Sequence, residues 1–317
     1  MSTPSSCRRT RATPDGGRAS VDIIDWLFGP FALPFIARPM LVMAVLAVAV
    51  GIASVLVTLR SLQFVGDGLV HAVFPGIVIG FVVAGRDGLL IGGMIAAALG
   101  AVALTLIGRR ALGNDSAIAL VLTVMFAVGI IVVSRQSNYV GQLEELLFGR
   151  LLTVTESDVA VTVAVALLAT LAMVAVARTQ LFRAHDERAA LAAGHRVLAS
   201  DLVLAVAVAV LVVVATAAVG NLLALGLLIV PGALARLLTD RLVLLVPLAI
   251  GAGLLASGAG LWLAYRASVD WGVPLPGGAS VIATLVVVYL ITLAVRQLRP
   301  RKERVPDLDN GPALVRT

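Results

Sequence analysis

Charge is scarce in this chain. Of its 317 residues, 13% are Asp, Glu, Lys or Arg, where a soluble domain carries about 25%. Cysteine occurs once, as Cys7, which excludes a disulfide framework and a thiolate metal site. Aromatics make up 5%, too few for a surface that stacks on nucleic acid bases. The only lysine is Lys302, and no G-x-x-x-x-G-K-[ST] run precedes it, so the chain carries no P-loop of its own. His71 is followed by Ala-Val-Phe-Pro, so the H-E-x-x-H signature of a zinc protease is missing too. What fills the chain is apolar sequence, at 60%. That excess, with so little charge, describes an integral membrane protein and not a large soluble core.

Residues 1–20 are polar and rich in Ser, Pro, Gly and Arg, and read as a disordered tail. Residues 21–39 read as an interfacial lead-in, since the two aspartates and two prolines of "VDIIDWLFGPFALPF" rule out a signal-peptide core there. Residues 40–297 hold the apolar runs: Met40–Leu59, Leu69–Gly85, Leu89–Gly108, Ala117–Ser134, Val159–Ala177, Leu202–Val219, Leu222–Leu238, Leu242–Tyr265 and Ser280–Val295. Each suits a spanning helix, which needs about 20 apolar residues. Continuous runs exclude a barrel, whose strands alternate. The expected fold is an all-α polytopic bundle of about 8–9 spans. Residues 298–317 read as a basic tail. Arginines cluster at 109–110, at 178–196 and after 296, and the positive-inside rule makes those loops and the tail cytoplasmic. The same count starts the chain outside, against which Arg8, Arg9, Arg11 and Arg18 weigh.

The stretch "LQFVGDGLVHAVFPG" places Asp67 and His71 four residues apart, with apolar sequence on both sides. On a helix the two share a face. A carboxylate within a membrane helix costs about 2.5–3.5 kcal/mol on insertion scales and normally faces a cavity or partner. Imidazole nitrogen with carboxylate oxygen suits zinc, manganese or ferrous iron. Two ligands are too few for selective binding, and a two-fold dimer would supply four. Two other readings stand beside this one. In a plain turn, Asp67 would cap a helix and His71 would sit at the interface; in a proton relay, the pair would serve a secondary transporter. Leu69–Gly85 and Leu222–Leu238 are short and interrupted by Gly and Pro, as transporter helices at substrate sites are.

Longer matches add to this. "LRSLQFVGDGLVHAVFPGIVIGFVVAG", "FGPFALPFIARPM", "LEELLFGRLLTV", "HDERAALAAGH", "GNLLALGLLIVPGALARLL" and "ASVDWGVPLPGGASVI" follow one another in order. Together, over roughly residues 25–297, the chain resembles the manganese/zinc/iron permeases of ABC importers. Glu187 stands where that family usually has proline. The resemblance implies a bundle related to the cobalamin/siderophore type of ABC importer permease, in a bacterial cell membrane. It implies a homodimer carrying two cytoplasmic ATPase subunits, fed by an extracytoplasmic metal-binding protein, with no cofactor in this chain. Asp67 and His71 would line the ion path. Asp186, Ala190 and Gly194 would belong to a short helix docked on the ATPase, with Ala190 and Ala193 small for close packing and Gly194 ending that helix. His185 and His195 read as solvated or coupling residues of that loop. Glu144 and Glu145 would lie outside. Asp270 would cap or precede the last span, Asn221 would satisfy broken backbone, and Arg236 would reach the cytoplasmic interface. A permease for siderophores or cobalamin is a further alternative, although a large chelate has no need of a carboxylate–histidine pair.

Overall fold

The computed structural model describes residues 34–110, 115–134, 147, 149, 153–273 and 275–298. Glu144, Glu145, the N-terminal tail and the basic C-terminal tail lie outside them. The helices in chain order are α1 (Pro34–Leu59), α2 (Gln63–Arg110), α3 (Asp115–Ser134), α4 (Glu156–His185), α5 (Glu187–Ala192), α6 (Val197–Val219), α7 (Asn221–Leu238), α8 (Leu242–Asp270) and α9 (Gly277–Leu298). Eight segments are long and apolar enough to cross a membrane, two of them within α2, and α3 adds the shorter apolar stretch Leu122–Val132.

Burial ranks these helices. In α6, 72% of the apolar window is buried, against 22% in α4 and in α9. Helix α6 is therefore central, and the outer helices turn apolar side chains such as Leu168 and Leu290 outward. Lipid tails are as apolar as leucine, so an apolar exterior costs nothing in a bilayer. Met43 and Leu46 of α1, Ile77 of α2, Met173 of α4, Leu211 of α6 and Leu223 and Leu227 of α7 fill the common core.

Helix α2 is a hairpin of two arms, Gln63–Gly85 and Asp87–Leu106. The break falls at Ala84 and Gly85, and Gly85 has φ +64° and ψ −142°, a combination reserved for glycine. Gly76 and Gly80 on one arm face Gly88, Gly92 and Ala96 on the other. A Cβ placed on Gly76 would stand 2.6 Å from the Gly92 carbonyl oxygen. Small residues four apart thus let the two backbones touch, the usual means of close helix approach in a membrane.

Several boundaries differ from the sequence expectation: α4 runs to His185 and not Ala177, α6 starts at Val197 and not Leu202, and α8 runs to Asp270 and not Tyr265; two further differences bear on the site. Helix α1 starts at Pro34, upstream of Met40, and runs through Pro39. The second span starts at Gln63, not Leu69, so Gly66, Asp67 and Gly68 lie inside a helix and form no turn. Glycine is costly in a helix in water, by about 1 kcal/mol. Here packing overrides the propensity, with Leu228 of α7 3.3 Å from where a Gly66 Cβ would be.

The helix ends fall on two faces. Arg60 after α1, Gln180 and Arg183 near the end of α4, and Asp201 near the start of α6 meet on one. Helix α7 runs alongside α1, with Gly232 beside Ser54 and Thr58, and Arg296 of α9 donates to the Leu237 carbonyl at 3.1 Å. On the other face Arg38 of α1 meets Glu156 of α4 at 2.6 Å. The first face carries Arg60, Arg178, Arg183, Arg188, Arg196, Arg236, Arg241 and Arg296, which the positive-inside rule makes cytoplasmic. Helix α1 begins on the face opposite this arginine-rich one, where Arg38 meets Glu156.

Candidate functional site

Asp67 and His71 sit on the first arm of α2, inside a spanning segment. His71 Nε2 lies 3.5 Å from Asp67 Oδ1, and the side chains are 18% and 29% exposed. That is beyond the ordinary 2.7–3.2 Å of an N–H···O hydrogen bond. It is close to the spacing of two ligands on one ion: at about 2.1 Å from a common centre and the tetrahedral angle, ligand atoms stand about 3.4 Å apart. Both side chains share one face of the helix and are partly exposed. Among the described residues no group of three or more His, Cys, Asp or Glu comes together, so one copy of the chain offers this pair alone.

The His71 ring is oriented by packing. Phe126 of α3 meets it edge-on, with centroids 5.2 Å apart and planes at 87°, and also packs on Phe74 at 5.4 Å. Phe74 is fully buried in the same small cluster as Phe126, while Val70, Val73 and Ile77 of the same arm are buried in the main core. His71 Nδ1 is buried without a hydrogen-bond partner among the described residues, so rings and not a polar partner fix the imidazole here.

The 185–195 segment is built as a corner. Asp186 ends α4 and caps α5, its carboxylate accepting from the Arg188 N–H at 2.8 Å and the Ala189 N–H at 3.0 Å. Helix α5 closes with two bonds, His195 N–H to Ala190 O at 3.1 Å and Gly194 N–H to Leu191 O at 3.0 Å. Gly194 has φ +78° between them. This is the Schellman arrangement, in which glycine takes the left-handed position. The expected helix end at Gly194 is therefore present. The reason expected for the small Ala190 is not: Ala190 is fully buried within this chain, while Leu191 is 56% exposed and Arg188 is exposed. Its size serves internal packing, and the outward surface of α5 belongs to those neighbours.

Four residues that the sequence did not single out form a buried polar cluster beside this corner. Arg60 and Arg183 approach the two oxygens of Asp201. Gln180 accepts from Arg60 and donates to Asp201 Oδ1 at 3.2 Å and to Ser200 Oγ at 3.3 Å. Burial, and then the like charge of Arg183, lower the Arg60 pKa from its ordinary value, and Asp201 opposes both. Gln180, a polar side chain near the end of an apolar helix, was the one signal in the sequence.

The remaining candidates occupy quieter places. His185 Nδ1 is 3.1 Å from the Leu181 carbonyl, and His195 Nδ1 is 3.4 Å from Thr179 Oγ1. Asn221 is buried at the start of α7 and accepts from the Thr216 hydroxyl at 3.5 Å. Asp270 ends α8 and faces Arg266 at 3.6 Å, so it belongs to the eighth helix and does not cap the ninth. Arg236 is exposed in the last turn of α7, on the arginine-rich face.

The profile of the ABC 3 transport family matches residues 32–296. The chain belongs to the ABC 3 transport family. Within the family's reach, the chain is 29% identical over 236 residues to "Manganese transport system membrane protein MntC" of Halalkalibacterium halodurans, covering 74% of this chain and 80% of that one. It is 27% identical over 248 residues to "Chelated iron transport system membrane protein YfeC" of Yersinia pestis, covering 77% and 82%. A structure of PsaBC from Streptococcus pneumoniae in complex with Fab superposes with a TM-score of 0.72 at 26% identity, covering 86% of this chain and 95% of that one. An inward-facing putative metal-chelate type ABC transporter shares the fold, with a TM-score of 0.65 at 14% identity over 92% and 93% of the two chains. The sequence resemblance and the all-helical multi-pass architecture thus agree with the ABC 3 assignment, and the chain is a bacterial membrane protein.

Proposed function

We propose that the chain is the permease subunit of an ATP-driven importer of divalent metal ions (Mn2+, Zn2+ or Fe2+), and that Asp67 and His71 contact the travelling ion. The observation that carries this reading is the 3.5 Å spacing of His71 Nε2 and Asp67 Oδ1 on one helix face within a span. The names of the relatives, manganese and chelated iron transport, support the substrate class. An O/N pair accepts all three ions, and geometry and availability choose among them.

The rest of the assembly follows from the same reading. A second copy of the chain brings the second Asp67/His71 pair, completing four ligands about a two-fold axis. ATP hydrolysis comes from two cytoplasmic ABC ATPase subunits that meet the segment with Asp186, Ala190 and Gly194. An extracytoplasmic solute-binding protein hands over the ion. The ion is cargo, and the chain holds no cofactor. The permease works by offering a negatively charged step in a low-dielectric path, where binding favours entry and ATP-driven rearrangement favours exit.

The test is uptake of 54Mn2+, 65Zn2+ and 55Fe2+ by proteoliposomes holding the complete complex, with ATP inside. ATP-dependent uptake of one of these ions, lost in Asp67→Ala and in His71→Ala, is the expected result. Uptake driven by a proton gradient without ATPase subunits would instead establish the secondary transporter. Uptake of a ferric siderophore or cobalamin, and of no bare ion, would establish the chelate permease.

A further inference from the structure

We propose that Arg60, Gln180, Arg183 and Asp201 form the positioning link between helix α5 and the start of helix α2, so that a push on α5 relocates Asp67 and His71. The inference rests on the metal permease reading and assigns the internal step by which that site is moved.

The connection is continuous in space. Glu187 is the first residue of α5, and Arg183 Nη2 donates to its Oε1 at 2.9 Å. Arg183 Nη1 donates to Asp201 Oδ2. Asp201 Oδ1 lies 3.4 Å from Arg60 Nη1, which also donates to Gln180 Oε1. Arg60 opens the tight connection into α2. Its N–H closes on Leu56 O at 3.1 Å, the Leu62 N–H returns to Val57 O at 2.9 Å, and Ser61 between them has φ +52°. Gln63 and the Asp67 turn follow directly. A connection this short, with a non-glycine residue in the left-handed region, has no slack to absorb a shift of Arg60.

The burial is what distinguishes a link from an ornament. The side chains of Arg60, Arg183 and Asp201 are 10%, 9% and 14% exposed, and Gln180 is fully buried. Glu187, at 55%, is the exposed end. Buried charges are a poor way to gain stability, because desolvation consumes most of the attraction; what they supply is a fixed geometry. Arg60 and Arg183 each take one oxygen of Asp201, and Arg183 spreads its two terminal nitrogens over Asp201 and Glu187, so the planar guanidinium ties the two carboxylates at a fixed angle. Helix α5 moves as one piece, capped by Asp186 and closed at Gly194, with Ala190 as its buried foot. Motion of that piece is delivered to Arg183 first, then across Asp201 to Arg60.

The experiment uses the complete complex with Asp201→Asn, which keeps shape and removes charge, and Arg60→Lys, which keeps charge and removes the planar guanidinium that reaches Gln180 and Asp201 together. Both are measured for assembly with the ATPase, ATP hydrolysis and ATP-driven 54Mn2+ uptake. Spin labels at the exposed Phe64 and Leu191 report the α2–α5 distance with and without ATP plus vanadate. The expected result is an assembled complex that hydrolyses ATP within twofold of wild type, moves at least tenfold less Mn2+ per ATP, and loses the nucleotide-dependent distance distribution of the parent. Normal uptake per ATP in both variants would overturn the link. So would a parallel loss of assembly, hydrolysis and uptake in both, which is the behaviour of a merely structural cluster. A parent complex whose label distance follows nucleotide in the way the variants abolish, but which moves no Mn2+, Zn2+ or Fe2+, would leave the link standing and remove the metal reading alone.

Discussion

The Ser54 hydroxyl accepts the Gly232 N–H at 2.7 Å and donates to the Ile229 carbonyl at 3.4 Å. It thereby spans Pro231, which has no N–H to give and interrupts the ladder of α7. Both residues are buried, Ser54 fully. A neighbouring helix thus gives a side-chain partner to backbone groups on either side of the proline, where a bilayer offers no water to do so.

Ser54→Ala should therefore lower stability by about 1–3 kcal/mol, the cost of an unsatisfied buried backbone group. The measurement is the thermal midpoint of the purified protein in detergent. Ser54→Cys, of similar size with a weaker sulfur partner, should fall between the two. An unchanged midpoint in Ser54→Ala would show that α7 closes its own break.

Asp67→Ala and His71→Ala should each abolish ATP-driven metal uptake while membrane insertion and yield stay at parental levels. Asp67→Asn should be nearly as damaging, since it keeps shape and loses the negative charge that draws a cation. Normal uptake by both alanine variants would remove the site assignment.

Gly194→Val should strain the end of α5, because φ +78° costs a residue with a Cβ about 1–2 kcal/mol and a β-branched one more. No atom lies within 4 Å of the Cβ position, so the effect is conformational and not steric. Gly194→Asn, tolerant of that region, should keep coupled transport while Gly194→Val hydrolyses ATP with reduced uptake. Parallel assays of uptake and hydrolysis on the reconstituted complex decide this. Ala190→Leu acts otherwise: it overfills a closed space and should cost about 1–3 kcal/mol of stability.

Gly80→Val should prevent the α2 arms from closing and reduce folded yield, since its Cβ would run into the Gly88 backbone. Gly251→Ala in α8 is the counterpart, with open space around it. Helix propensity alone then favours alanine by up to about 1 kcal/mol. Fluorescence-detected size exclusion of the two variants should separate them, with a collapsed monodisperse peak only for Gly80→Val.

The meeting of Asp67 and His71 on one helix face was legible from their spacing of four, and the helix end at Gly194 because glycine so often ends helices. The start of the second span was not, since "QFVGDG" is polar and glycine-rich. Its helicity comes from neighbours such as Leu228, which a local reading cannot see. Ala190 was read as facing a partner, because smallness suits any tight contact and the sequence does not say whose. Ser54 is one hydroxyl in a long apolar helix, meaningless until Pro231 lies across from it. Nothing in the sequence marks Arg60 and Asp201, and only the meeting of α1, α4 and α6 makes them one cluster.

That cluster also imposes an order on synthesis. Arg60 meets Gln180 across 120 positions of chain and Asp201 across 141. At about 5–20 residues per second of translation, Arg60 leaves the ribosome roughly 6–28 s before its partners. For that time the first helices hold an unpaired guanidinium at the membrane boundary, where water and lipid phosphates must serve it. The nascent N-terminal part is thus a half-built intermediate whose closing latch is still inside the ribosome, and truncation before residue 180 leaves it exposed to the cell's quality control.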